Sequence, residues 1–297
     1  MVIFKKLIFA FPFLIAFIAF CLQLKSFLAE PTLVLALDFK IFQQEALIGL
    51  SAMFIGIFFV LFATLAQEWK FVFTIVPAIS LTSILFLSPS TSFFFAILCF
   101  FIFNFVYVLL KSKLNTYLTF TANTLLKPYI TETVTFLLIA SSVIFYVSSD
   151  KNIKQNGFKP PPSLIKIVSQ FMSTAMQPNS QSISPKNFDE LKKTPELLKQ
   201  FGLNKEILDQ LTKSQTQSSS QSLQEANIDN QIQTLIKPYL SFIPLIVTII
   251  FFLNLVSVAW VLSLFLDPIL WFIFWLLDKL KFTSYAVETR QVKKLVV

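Results

Sequence analysis

The chain reads ALIGLSAMFIGIFFVLFATLA from residue 46 to residue 66, without one charged side chain. A helix rises about 1.5 Å per residue and the apolar core of a bilayer is about 30 Å thick, so about 20 apolar residues suffice to cross it. A helix on the surface of a soluble protein would be polar along one side, and this run is apolar on nearly every side. The run therefore predicts a membrane-spanning helix.

The same pattern recurs along the chain. Comparable apolar runs cover residues 7–24, 71–87, 92–110 and 133–147, the last extended back to residue 129, and a sixth begins near Tyr239. The composition agrees, because 55% of the residues are hydrophobic, 13% are charged and the mean hydropathy is +0.72. We predict an all-α polytopic membrane protein with six transmembrane helices, or seven, plus a small α-helical extramembrane insert. Its first partner is the lipid bilayer.

The first apolar run follows Lys5 and Lys6, so a cleaved secretory signal is the alternative to a retained anchor. We favour the anchor because the run is longer than the apolar core of a signal peptide, about 7 to 15 residues. Phe27 also stands where a cleavage site needs a small residue.

The number of crossings depends on the step from Asp267 to Pro268, which interrupts the last apolar stretch. Asp267 is predicted to cap a new helix and Pro268 to occupy its first turn, where no amide donor is needed. The helix that follows is short for a full crossing. We therefore prefer six crossings and an interfacial helix with Trp271 and Trp275, and seven crossings are the alternative.

Four regions follow from these assignments. Residues 1–148 hold the first five transmembrane helices, 149–237 a polar extracytoplasmic insert, 238–282 the sixth transmembrane helix with the interfacial or seventh helix, and 283–297 a polar tail. Within the insert, 163–211 has the spacing of short amphipathic helices that need a partner surface, and 214–222 is a Ser/Gln-rich tether. Residues 163–211 are thus predicted to bind a protein partner.

The lysines set the predicted orientation, because short cytoplasmic segments carry the excess of positive charge. With the N-terminus inside, only Lys25 and Lys40 lie in short exterior loops. The cytoplasmic side then carries Lys5, Lys6, Lys70, Lys111, Lys113 and Lys127. The positive charges after residue 278 also favour a cytoplasmic C-terminus, which requires six crossings.

Several kinds of chemistry are excluded by composition. There is no histidine, and Cys21 and Cys99 both fall in apolar runs, so we expect no metal site, cofactor or catalytic triad, and no enzyme. Both cysteines are interpreted as apolar fillers, with a disulfide as the alternative. The basic residues are nearly all lysines scattered among apolar spans, which does not favour nucleic-acid binding.

Polar residues inside apolar spans are the candidate functional residues, because charges and amides are costly there. They are Asn104, Glu132, Asn254 and Asp267. We interpret the two asparagines as interhelical hydrogen bonders. Glu132 is interpreted as a solvated helix start and Asp267 as a helix cap, and the two acids would form a cation site if the fold joined them. Thr131, Thr135 and Ser142 share one face of the fifth helix.

Small residues in the second span indicate close helix packing, because they let two backbones approach. They are Gly49, Ala52, Gly56 and Ala63. Their partner is either another span of this chain or a second copy in a homo-oligomer.

The insert carries ELKKTPELLKQFGL at 190–203, within a stretch from 187 to 211 that loosely resembles segments of multi-pass membrane proteins from small-genome candidate-phylum bacteria. This resemblance implies a bacterial cytoplasmic (inner) membrane and no particular activity. Our leading hypothesis is a structural or interaction protein that anchors the exterior insert. The alternative is a component of a transporter or channel for a small solute or ion.

Overall fold

The computed structural model describes residues 7–36, 38–66, 68–117, 121–158, 160, 161, 163, 165, 241–280 and 282. The chain divides into two units, Met1–Gly157 with Leu240–Val297, and Phe158–Tyr239. The predicted amphipathic helices of 163–211, the tether at 214–222 and the tail at 283–297 lie outside the described residues, apart from residues 163 and 165.

The described part of the first unit is helical and contains no strand. Its helices are α1 (Ala10–Ala29), α2 (Phe39–Ala66), α3 (Trp69–Leu81), α4 (Ser83–Phe86), α5 (Pro89–Thr116), α6 (Ala122–Asn156), α7 (Ile243–Ser263) and α8 (Leu266–Lys279), with a 3-10 helix at Pro31–Leu35. Among the described residues, six helical segments are long and apolar enough to cross a bilayer, and α3 with α4 form one of them. The prediction of a polytopic all-α protein is confirmed.

Two spans extend well beyond the predicted apolar runs. α2 begins at Phe39, not at residue 46, and α6 covers Ala122–Asn156, not 129–147. An apolar run identifies only the part of a helix that can lie in the hydrocarbon core of a bilayer. Backbone hydrogen bonding continues the helix through the polar turns at either end of the run. The extension of α2 brings Glu45 into the bundle.

α2 lies at the centre of the bundle and packs against α1, α6 and α7. Phenylalanines fill the contact between α1, α2 and α5: the ring centroids of Phe13, Phe59 and Phe103 lie 4.8 to 5.5 Å apart, and all three side chains are fully buried. Offset and edge-to-face pairs at these distances are favourable packing contacts.

The small residues of α2 contact other spans of the same chain. A Cβ added at Gly49 would lie 2.6 Å from Cγ1 of Val258 in α7. One added at Gly56 would lie 3.0 Å from Cγ2 of Val134 and 3.1 Å from the carbonyl oxygen of Ile130 in α6. Ala52 and Ala63 are 0% and 2% exposed. α2 therefore occupies a close-fitting groove between α6 and α7.

The break before Pro268 occurs in a different way from the one predicted. α7 ends at Ser263 and α8 begins at Leu266, with Phe265 at the N-cap and no side-chain cap. The prediction that Asp267 caps the helix is wrong, because Asp267 already lies in the first turn. The 14 residues of α8 span about 21 Å, less than the bilayer core of about 30 Å, and α8 packs against α6.

Candidate functional site

The structure joins Asn254 to a carboxylate that the sequence did not single out. Nδ2 of Asn254 in α7 donates to Oε1 and Oε2 of Glu45 in α2, each at 3.2 Å. Glu45 is only 2% exposed and Asn254 is half-buried. Of the two asparagines interpreted as interhelical hydrogen bonders, Asn254 makes such a bond.

Glu45 is buried because of its position on α2. It precedes Ile48, Gly49 and Ala52 by three, four and seven residues, and residues at this spacing share one helix face. Gln43 and Gln44 beside it are exposed. Glu45 is absent from the candidate residues predicted from sequence, because it directly precedes the uncharged run that begins at residue 46. Gly49 and Ala52 mark a helix face of small residues, and extending this face back by one helical turn reaches Glu45. This spacing is the signal in the sequence that could have identified Glu45.

The surroundings of this pair are apolar. Phe251, one turn before Asn254, stacks on Phe145 of α6 at 4.3 Å between centroids and lies 5.5 Å from Phe27 of α1. These three rings are 0 to 1% exposed, and Leu255 beside Asn254 is fully buried. An ionised carboxylate buried without a cationic partner loses hydration worth several kcal/mol, on the order of 3 or more in a membrane span.

A second polar contact crosses from α2 to α1. Oγ of Ser51 lies 3.1 Å from Oε1 of Gln23 and 2.9 Å from the carbonyl oxygen of Ile48. This contact ties the middle of α2 to α1 by neutral groups. Glu45, by contrast, places a titratable carboxyl group in the contact between α2 and α7, in the second turn of α2.

The two acids of the predicted cation site have different environments. Nζ of Lys127 in α6 lies 2.6 Å from Oδ2 of Asp267 in α8, so an ammonium neutralises Asp267. Glu132 lines a shallow groove on α6 together with Asn123, Lys127, Thr131 and Thr135. Its Oε2 is buried and has no hydrogen-bond partner, and the residue lies ten positions after the first residue of α6, so the interpretation of Glu132 as a solvated helix start is wrong. Asp267 therefore already has a cationic partner, which leaves little need for a bound metal cation.

Asn104 does not bond to another helix through its amino group. Its Nδ2 donates to the carbonyl oxygen of Phe100 in the same helix at 2.7 Å, and its buried Oδ1 has no partner. The interpretation of Asn104 as an interhelical hydrogen bonder is wrong for this donor. An asparagine can reach the carbonyl one turn back, and that local bond needs no neighbouring helix.

The polar face predicted on the fifth span, which is helix α6, is not continuous along the helix. Thr131 and Thr135 are exposed, Ser142 is buried, and each hydroxyl donates to the carbonyl oxygen four residues earlier. Cys21 and Cys99 are buried and free, so the alternative of a disulfide is wrong. Within the described residues, no three acidic or cysteine side chains converge on a point that could hold a metal ion.

Glu45 with Asn254 is therefore the candidate site, because it is the buried carboxylate that joins two spans in the described part of the bundle. A comparison of the chain with known protein families, curated proteins and solved structures finds no match, so the function is argued from this geometry.

Proposed function

We propose that the protein is a multi-pass anchor in a bacterial cytoplasmic membrane that presents the polar insert following α6 to a protein partner on the extracytoplasmic side. The observation that carries this proposal is the way in which the described bundle satisfies its hydroxyl groups. Many of them donate to carbonyls of their own helices, as in Thr64, Thr133, Ser141, Ser142, Thr248 and Ser257. Hydroxyls whose hydrogens are bonded in this way offer few free donors to a solute path.

The distribution of charge supports the orientation. Lys70, Lys111 and Lys113 lie at the helix ends that six alternating crossings would place on the side of the N-terminus, as does Lys127 near the start of α6. The segment between α6 and α7 would then face the exterior. An even number of crossings also puts both termini on one side.

The anchor proposal is tested by cross-linking in intact cells, with a photoreactive residue placed within 163–211 of the full-length protein. We expect one defined protein to be captured. Deletion of 163–211 should abolish capture by probes placed elsewhere in the insert, whereas deletion of the Ser/Gln-rich 214–222 should preserve it. Capture that survives the loss of 163–211 would contradict the proposal.

A transporter or channel component is the second candidate, and the Glu45–Asn254 contact favours it. Membrane carboxylates that join two helices are common features of ion and proton pathways. Purified protein in liposomes should then move an ion or solute, and Glu45→Gln and Asn254→Ala should reduce the flux at least tenfold. Ser257→Ala on the exposed side of α7 is the matched control. Equal flux in all variants would count against this candidate.

A further inference from the structure

We propose that Glu45 is a proton-binding site, and that its carboxyl group is neutral while α2 and α7 are packed together. The proposal is independent of the anchor function, because it concerns the transmembrane bundle and not the insert. Its basis is the burial of Glu45, which is 2% exposed, together with the neutral character of its partner Asn254.

No cation neutralises Glu45 within the described residues. Its hydrogen-bond partner is Asn254, and no ion pair joins it to a lysine. α7 carries no charged residue between Ile243 and Ser263. The other charged and titratable side chains of α2, and those of the remaining helices that pack against α2, do not bond to Glu45. They are Cys21, Lys25, Lys40, Lys70, Cys99, Tyr107, Lys111, Lys113, Lys127, Tyr129, Glu132, Tyr146, Asp150, Lys151 and Lys154.

The burial of Glu45 limits the solvation of a charge on its carboxyl group. Fully buried Ile48 and Leu255 flank Glu45 and Asn254 on their own helices, and Phe251 lies one turn away against Phe145. A carboxyl group in such surroundings is favoured in its neutral form, because the charged form loses its hydration. Opening of the α2–α7 contact to water would favour release of the proton.

A proton fits this site better than a metal cation does. Metal cations such as Na⁺ and Ca²⁺ are held by several oxygens, and Ca²⁺ takes six to eight. Here the amide of Asn254 turns its amino group, not its carbonyl, toward both carboxyl oxygens. In this arrangement Asn254 supplies no oxygen ligand for a metal cation beside Glu45.

The site is tested by infrared spectroscopy of the full-length protein in lipid vesicles, with wild type compared against Glu45→Gln. At neutral pH the wild type should show the carbonyl band of a protonated carboxylic acid, with a shift in heavy water, and Glu45→Gln should lack it. The band should give way to carboxylate bands at alkaline pH. Glu132→Gln removes another carboxyl group that has a buried oxygen and should leave the band in place.

A second variant separates proton binding from a packing role. Asn254→Leu removes the amide donor that stabilises the ionised carboxylate, so the band should persist to a higher pH than in the wild type. Glu45→Gln should elute as one folded species, because the neutral amide replaces a neutral carboxyl.

Three results would overturn the proposal. The first is carboxylate absorption alone at neutral pH, with no protonated band lost in Glu45→Gln. The second is loss of the band on addition of Na⁺ or K⁺ at constant pH, which would make the site a metal-cation site. The third is unfolding of Glu45→Gln in lipid under conditions where the wild type stays folded.

Discussion

Gly49 and Gly56 meet different kinds of neighbour, although both lie on the buried side of α2. The space beside Gly49 is limited by the side chain of Val258, at 2.6 Å from an added Cβ. The space beside Gly56 is limited partly by the backbone carbonyl of Ile130, at 3.1 Å. A side chain can be shortened by mutation and a carbonyl cannot, so the two glycines should differ in how a substitution is rescued.

Gly49→Ala should lower the free energy of unfolding by about 1 to 3 kcal/mol, the usual cost of overpacking. Val258→Ala in the same chain should recover most of this loss, because it removes the clashing methyl groups. Thermal unfolding in mild detergent measures both variants. Gly56→Ala with Val134→Ala is the comparison, and we expect much weaker rescue there. Equal rescue at both sites would contradict the geometry.

The two asparagines should respond oppositely to replacement by leucine. Asn254→Leu leaves the carboxyl group of Glu45 without its partner, at a cost of about 1 to 3 kcal/mol. Asn104→Leu removes a buried Oδ1 that has no partner, so its effect should be neutral or stabilising by up to about 1 kcal/mol. Unfolding curves in detergent compare the two, and a larger loss for Asn104→Leu would be inconsistent with the contacts described.

At the scale of elements, α8 owes its separation from α7 to Pro268 and its position to Lys127. Pro268 has no amide hydrogen, so the helical bond to residue 264 cannot form and the axis breaks. The ion pair from Lys127 to Asp267 then joins the start of α8 to α6. The exposed rings of Trp271 and Trp275 stack on one another, and Lys279 lies 4.9 Å from the centroid of Trp275. These features suit an interfacial helix.

The coupling between Lys127 and Asp267 can be measured by a double-mutant cycle with Lys127→Met and Asp267→Asn. Both side chains are more than a third exposed, at 36% and 47%, so solvent screening limits the expected coupling to about 0.5 to 1 kcal/mol. The pair Lys154 and Asp150 within α6 is the control, and a weaker coupling is expected there because the lysine is far more exposed to solvent. No coupling for Lys127 and Asp267 would mean that other contacts hold α8.

At the scale of the whole molecule, the number of crossings fixes the relation between the termini and the insert. If the six candidate spans among the described residues cross in alternating directions, both termini lie on one side of the membrane and the segment between α6 and α7 on the other. The lysines at the helix ends predict that the side of the termini is cytoplasmic.

Reporter fusions test the arrangement of the whole chain. A reporter after residue 297 should register as cytoplasmic, and one inserted within 214–222 should register as exterior. The matched control is a reporter between α5 and α6, which should also be cytoplasmic. Opposite signals for the control and the C-terminal fusion would require a seventh crossing and would contradict the assignment of α8 as an interfacial helix.

The apolar runs alone predict helices long enough to cross a membrane, because uncharged stretches of this length are best solvated by lipid. The amino-acid pattern also indicates which side chains are polar in apolar surroundings, including Asn254. Which of these side chains come together depends on the packing of the helices. Glu45 and Asn254 are 209 positions apart, and Lys127 and Asp267 are 140 apart, so their pairing follows from how α2, α6, α7 and α8 pack. Local composition carries no information on such distant contacts.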